Sequence, residues 1–328
     1  MKGLFVRDND TILVSVVVPV KNGDYWLAKT LKGILSQKIE KLFEVIVIDS
    51  GSTDLSLEII HQFPVRLIQI APEKFNHGTT RNLGAQEAVG EFVLMTVQDA
   101  QPLDEYWMQR LLDGFDEECV AAVCGQQIVP HDIDKNPVEW FRPTSLPSII
   151  KYKFTTQEFE KLSPSVKRQI CGWDDVTAMY RKTALMETPF REVMFAEDAL
   201  WAKDALLKGY TIVYNQHARV HHYHLEDPKY TVKRLFTAHY HFYKYFGFTP
   251  AYVKTDILQK LKVVKLLALE SRIAWSDKWK WFRYNVRVRK EINKAAMLFY
   301  QSLAEGENIL EEKHNQLCKQ IPQAIKPL

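Results

Sequence analysis

The chain has no cysteine pair at the C-x-x-C spacing, no H-E-x-x-H, no apolar run of membrane-spanning length and little net charge. Each absence removes a class of protein. Four cysteines (Cys119, Cys124, Cys171 and Cys318) in 328 residues form neither a zinc nor a redox motif, and a chain this long needs no disulfide staples. They are expected as free thiols in a reducing compartment. The apolar run from Ile12 to Val20 ends at Pro19-Val20-Lys21, well short of the ~20 residues of a membrane helix. Arg7, Asp8 and Asp10 interrupt the start as a signal peptide would not, so a cytoplasmic protein is expected. With 43 Lys and Arg against 40 Asp and Glu, the chain is no polycation built for nucleic acid. The segment VVVPVKNGDYW is not a glycine-rich triphosphate loop, which argues against a nucleotidyltransferase. No internal repeat or low-complexity tract is present.

What is there reads as an α/β fold. A hydrophobic content of 46% fits an ordinary globular protein. Residues 12–18, 43–48, 65–70 and 91–97 have the apolar, β-rich character of strands. Between them, 24–38, 55–63 and 83–90 carry helical spacing. This repetition predicts a Rossmann-like sheet, mostly parallel, with flanking helices. Residues 130–170 are rich in proline and read as a long loop region, a lid or acceptor-binding segment. A helix over 198–210 and a strand over 211–215 follow, and helical patterns run from 229 to the end.

Ligands of open parallel sheets gather at the carboxyl ends of the strands. Three polar clusters fall there: Val20-Lys21-Asn22, Asp49-Ser50-Gly51-Ser52-Thr53-Asp54 and Gln98-Asp99-Ala100. A carboxylate such as Asp49 can accept from a pyrimidine imide, and the same residues can equally form a turn and helix cap. Asp99 can hold a hard cation against a diphosphate or simply close a turn. Arg81, in a loop entering a helix, can fork onto phosphate or tie the loop. Asn76-His77-Gly78 reads as a sharp turn. Asp198 can cap its helix, with Gly209 ending it, or act as a general base, the helix dipole favouring its ionised form. His222 and His224 share a face if extended; one can complete a metal shell or touch a diphosphate, or both are surface histidines.

Together, VVVPVKN, VIVIDSGSTD, FNHGTTRNLGAQEAVGEFVLMTVQDAQP, FAEDALWAKDALLKGY and ARVHHYH resemble, in order and spacing, the family-2 glycosyltransferases of the GT-A fold, closest to their rhamnosyltransferase-like branch. The resemblance implies a GT-A catalytic domain over 1–245, with a nucleotide-sugar half at 12–125 and an acceptor half at 126–245. A helical extension over 246–328 completes the chain. The implied reaction is inverting transfer from a nucleoside-diphosphate sugar, dTDP-rhamnose by the branch, to a glycan or lipid-linked glycan. Galactofuranose, glucose or N-acetylhexosamine donors, or a non-catalytic sugar-nucleotide-binding subunit, are the alternatives. Pro19, Val20 and Asn22 would border the nucleotide, and Asp49 would bind the base. Ser52, Arg81 and Gln98 would hold the donor. Asp99 would bind Mg²⁺ or Mn²⁺, with His222 or His224 as a further ligand, and Asp198 would be the base. The first carboxylate of the wider family's D-x-D is Val97 here, while Gln98-Asp99-Ala100 fits the branch. Tyr223 also stands where the branch often has Ser.

Between Lys254 and Lys290 eleven Lys and Arg face three Asp and Glu, interleaved with Trp275, Trp279, Trp281, Phe282 and Tyr284. Such a helix suits an anionic membrane surface, at the inner face of the membrane, or covers the catalytic domain with a solvated basic face. The aromatics look like core positions, which argues against nucleic acid.

Overall fold

The apolar run opening the chain becomes the centre of a parallel sheet. The computed structural model describes residues 11–132, 134–140, 146–252 and 257–318, apart from the side chains of 258 and 259; Arg7, Asp8, Asp10 and Lys254 lie outside them. The chain divides into two units. One holds the described residues up to Gln127 with Leu146–Leu162 and Ile170–His222, and the other holds the rest.

In the first unit β1 (Ile12–Val20), α1 (Leu27–Leu35), β2 (Leu42–Asp49), α2 (Ser56–Ile60), β3 (Arg66–Gln69), α3 (His77–Glu87) and β4 (Phe92–Thr96) alternate. There follow β5 (Gln101–Pro102), α4 (Trp107–Leu112), β6 (Val120–Ile128), β7 (Ile149–Tyr152) and α5 (Thr156–Lys161). After α6 (Pro164–Ile170), which falls almost wholly in the other unit, come β8 (Thr177–Arg181), α7 (Lys182–Glu187), α8 (Glu197–Leu207) and β9 (Thr211–His221). The sheet order is β3-β2-β1-β4-β8-β6-β9-β5, with β7 also on β9. The β3-β2-β1-β4 half is parallel, and β8 runs antiparallel to β4. Val16, Val17 and Val18 of β1 and Ile46, Val47 and Ile48 of β2 are all 0% exposed. Both faces are covered, as a parallel sheet requires, and each such side chain contributes about 1.5–3 kcal/mol by burial.

Three local expectations are corrected. Helix α3 begins at His77, not Leu83, because the Asn76 side chain accepts the Gly78 and Thr79 N–H groups as an N-cap. Asn76-His77-Gly78 is therefore a helix start, and Arg81 lies within the helix. The 130–170 region is not one loop but holds β7, α5 and α6. Helix α5 opens on a capping box between Thr155 and Glu158. Asp198 is not the N-cap of α8. That position falls to Ala196, left-handed at φ 60°, so Asp198 sits in the first turn and accepts the Ala199 N–H. Gly209, at φ 82°, follows the helix end as expected.

The second unit is built on α9 (Pro228–Phe246), α10 (Ile257–Leu269), α11 (Trp275–Glu305) and α12 (Glu307–Cys318). Asp227 caps α9 on the Lys229 N–H, with Pro228 at the first helical position. Phe236, Tyr240, Phe299, Leu310 and Cys318 form the core of the unit. Trp281 is buried, but Trp275 and Trp279 are exposed, which corrects their reading as core. At 3.6 residues per turn those two share a face roughly opposite Trp281. No described helix is long and apolar enough to cross a membrane. All four cysteines are free.

Candidate functional site

The ends of β1, β2 and β4 lie side by side, with Val20 opposite Asp49 and Val17 opposite Met95. The loops after them interlock. Asn22, itself left-handed at φ 50°, donates its N–H to Ser52 Oγ at 2.9 Å, and its side-chain oxygen accepts the Thr53 N–H at 2.8 Å. Gln98 Oε1 accepts the Lys21 N–H at 2.8 Å, and its amide donates back to the Lys21 carbonyl at 3.1 Å. Asp49 is wholly buried and accepts the Gly51 and Ser52 N–H groups. The turn needs Gly51 at φ 81°. Val20 packs in the core, and its carbonyl accepts from Ser50; Pro19 is half-buried. DSGSTD thus forms the turn expected of it, with Asp49 as its acceptor.

Strand β4 stops at Thr96, and Val97 packs against the core, so Asp99 stands in a tight turn. The turn is anchored from the far edge of the sheet, where Gln101 pairs with His221 and Leu103 donates to the Arg219 carbonyl. This register brings the end of β9 to Asp99. His222 Nε2 lies 3.4 Å from Asp99 Oδ1, and both side chains are about seven-eighths buried (15% and 12% exposed). His222 Nδ1 lies 2.6 Å from Gln127 Oε1, and the Gln127 amide donates to Asp174 Oδ2. Because Asp174 takes the amide NH₂, Gln127 presents its oxygen to the imidazole. Nδ1 is thus the nitrogen that donates to Gln127, and Nε2 is the one that faces the Asp99 carboxylate. A carboxylate and an imidazole nitrogen 3.4 Å apart, the ring fixed by a relay behind it, could hold a cation between them. His224 follows two residues along the chain, in the second unit.

Arg81 is not open to solvent. Its side chain is 6% exposed; the guanidinium bonds Glu197 Oε1 and stands 3.1 Å from Asp175 Oδ2. Burial works against its charge, but Asp175, Glu197 and Asp198 more than offset this and raise its pKa. Asp175 also accepts from Tyr180, whose hydroxyl receives the Trp173 indole N–H at 2.7 Å. Burial lifts the Asp175 carboxyl to about 6 against the opposing pull of Arg81. Asp198 is pushed well above the ordinary carboxylate range by burial, then by Glu197, Asp175 and Asp174. This outweighs the helix N-terminus that was expected to keep it ionised. Asp174 is raised as well, by burial.

Gln127, Asp174, Asp175 and Tyr180 were not singled out from the sequence as functional residues. The one available signal was the Asp174-Asp175 pair abutting the apolar run VTAMY, since adjacent carboxylates entering a buried strand must find partners.

The glycosyl transferase family 2 model matches residues 15–187. The O-antigen chain rhamnosyltransferase WbaN of Salmonella anatum is 31% identical over 200 residues, covering 59% of this chain and 60% of that protein. RfbN of Salmonella typhimurium, of the same description, is 31% identical over 232 residues, covering 68% and 70%. Among solved structures, residues 1–349 of TarS from S. aureus superpose with a TM-score of 0.50 at 18% identity, covering 88% of this chain and 92% of that one. The mannosyltransferase PcManGT of Pyrobaculum calidifontis, solved with GDP-Man and Mn²⁺, gives a TM-score of 0.50 at 16% identity, covering 97% and 84%. These two likenesses concern the fold, which is of the GT-A type. With more than half of its length matched by the family model, the chain belongs to glycosyl transferase family 2.

Proposed function

We propose that this protein transfers a sugar, rhamnose from dTDP-rhamnose as the first choice, from a nucleoside-diphosphate sugar to a glycan or lipid-linked glycan acceptor, with inversion. The observation that carries the reading is the Asp99–His222 pair, its imidazole fixed by Gln127, beside the interlocked strand-end loops. The choice of sugar rests on the two rhamnosyltransferase relatives.

Asp99 and His222 would hold Mg²⁺ or Mn²⁺. Bound there, a divalent cation supplies positive charge for the departing nucleoside diphosphate. The loops carrying Asn22, Ser52 and Gln98 form one side of the donor cradle beside Pro19 and Val20, and the turn shaped by Asp49 meets the base. Arg81 serves this cradle from behind by clamping Glu197 and Asp175, which fixes the start of α8. Asp198, in the first turn of α8, takes the proton of the acceptor hydroxyl as that oxygen attacks the anomeric carbon opposite the leaving diphosphate. Its raised pKa makes it a stronger base than a solvated carboxylate.

The test is a panel of nucleotide sugars, scored by thermal shift with and without Mg²⁺ or Mn²⁺, followed by assay of the stabilising donor. The expected result is stabilisation by dTDP-rhamnose that requires metal. Stabilisation by another sugar nucleotide alone would replace the donor, and none by any of them would remove the reading. Asp198→Asn is expected to keep donor binding and to lose at least about a hundredfold in turnover, the lower range of general-base contributions. Near-normal turnover in that variant would take the base role from Asp198.

A further inference from the structure

Helix α10 is almost wholly uncovered: among its described side chains only Leu267 is buried. Yet it is strongly apolar. Ile257, Leu261 and Val264 are 74%, 56% and 46% exposed, and with Ala268 they fall on one stripe of the helix by their spacing of four, three and four residues. Exposed Lys260 and Lys265 border that stripe on its two sides. Helix α11 begins shortly after α10 ends. Lys278 donates to the Ala268 carbonyl at 3.3 Å and lies 4.7 Å over the Trp275 ring, tying the first turn of α11 to the end of α10. Trp275 and Trp279 are 78% and 63% exposed, and exposed Lys280 and Arg283 follow them.

We propose that the α10 stripe and the exposed tryptophans of α11 form a docking surface for an anionic lipid bilayer. The occupant follows from the chemistry. Apolar side chains in a line, lysines on both flanks, and indoles beside them are what an interfacial helix presents to acyl chains, phosphate headgroups and the boundary between them. Lysine stems reach back from the apolar stripe so that their ammonium groups meet the headgroups. A second protein copy would bury the stripe but bring the flanking lysines against like charge. The proposal does not depend on the reading of the donor site.

The experiment is flotation of the full-length protein with phosphatidylcholine vesicles and with vesicles containing a third phosphatidylglycerol. The protein is expected to float with the anionic vesicles only, less so as salt rises. Leu261→Glu and the pair Trp275→Ala, Trp279→Ala are each expected to reduce bound protein at least tenfold. The side chains are exposed, so the melting temperature should hold. Lys260→Glu with Lys265→Glu should do the same without removing apolar area. Flotation equal for wild type and all variants would overturn the proposal, as would no flotation of wild type. It would equally be overturned if light scattering showed a dimer that Leu261→Glu dissociates and that does not bind vesicles.

Discussion

His222 turns Nε2 toward Oδ1 of Asp99 at 3.4 Å, although the two residues lie on strand ends that are far apart in the chain. The pairing is produced by β5. Two residues of strand, Gln101 and Pro102, bind β9 and draw the Asp99 turn to the end of that strand. Gln127 then fixes which imidazole nitrogen faces the carboxylate.

Removing the relay should weaken the cation site without touching either ligand. Gln127→Leu frees the His222 ring and is expected to lower Mn²⁺ affinity by roughly 10–100-fold, the usual effect of losing an outer partner of a histidine ligand. Isothermal titration with Mn²⁺ measures it. Unchanged affinity would mean that Gln127 does not orient the imidazole.

The pH profile follows from the carboxylates around Asp198. Burial and the charges of Glu197, Asp175 and Asp174 raise its pKa, so its protonated form persists to higher pH than for a solvated aspartate. A base acts ionised. Turnover should therefore rise with pH through that raised pKa and be lost below it, on a limb above the ordinary value of ~3.9. Glu197→Gln removes the largest of the neighbouring charges while leaving an oxygen for Arg81, and should move the limb toward acid. A limb that moves toward alkali, or stays in place, would contradict this.

Arg81 is predicted to matter for stability before it matters for chemistry. Arg81→Ala leaves Glu197 and Asp175 buried without their cation, a loss of about 3–5 kcal/mol for a broken buried pair, to be read by urea denaturation. Arg81→Lys should recover only part, because an ammonium cannot fork between two carboxylates as a guanidinium does. A loss of donor affinity with full stability would instead assign Arg81 to the donor.

Much of the scaffold was legible in the sequence, for identifiable reasons. Strands β1, β2 and β4 are covered on both faces, so they read as unbroken apolar runs. The polar clusters at their ends then stood out. The start of α3 was hidden because its cap, Asn76, lies among other turn-forming residues. The elements between 130 and 170 are short, and only the Thr155…Glu158 capping box announced one of them. The Gln127–Asp174 relay and the Arg81–Asp175–Glu197 cluster left only one trace in the sequence, the Asp174-Asp175 pair before a buried strand. A carboxylate in a sequence does not say whether it will be buried or which cation it will meet across the fold. Trp275, Trp279 and Trp281 look alike in sequence, and only the docking of α11 in the second unit separates the buried one from the exposed pair.

The most direct test of the account is calorimetric titration of dTDP into the wild type and Asp99→Ala, each with Mn²⁺ and with EDTA. If Asp99 and His222 hold the cation that meets the diphosphate, wild-type affinity should be at least tenfold higher with Mn²⁺, a difference of about 1.4 kcal/mol, and Asp99→Ala should abolish the difference. Equal wild-type affinity with and without metal, or a metal effect that survives Asp99→Ala, would contradict it.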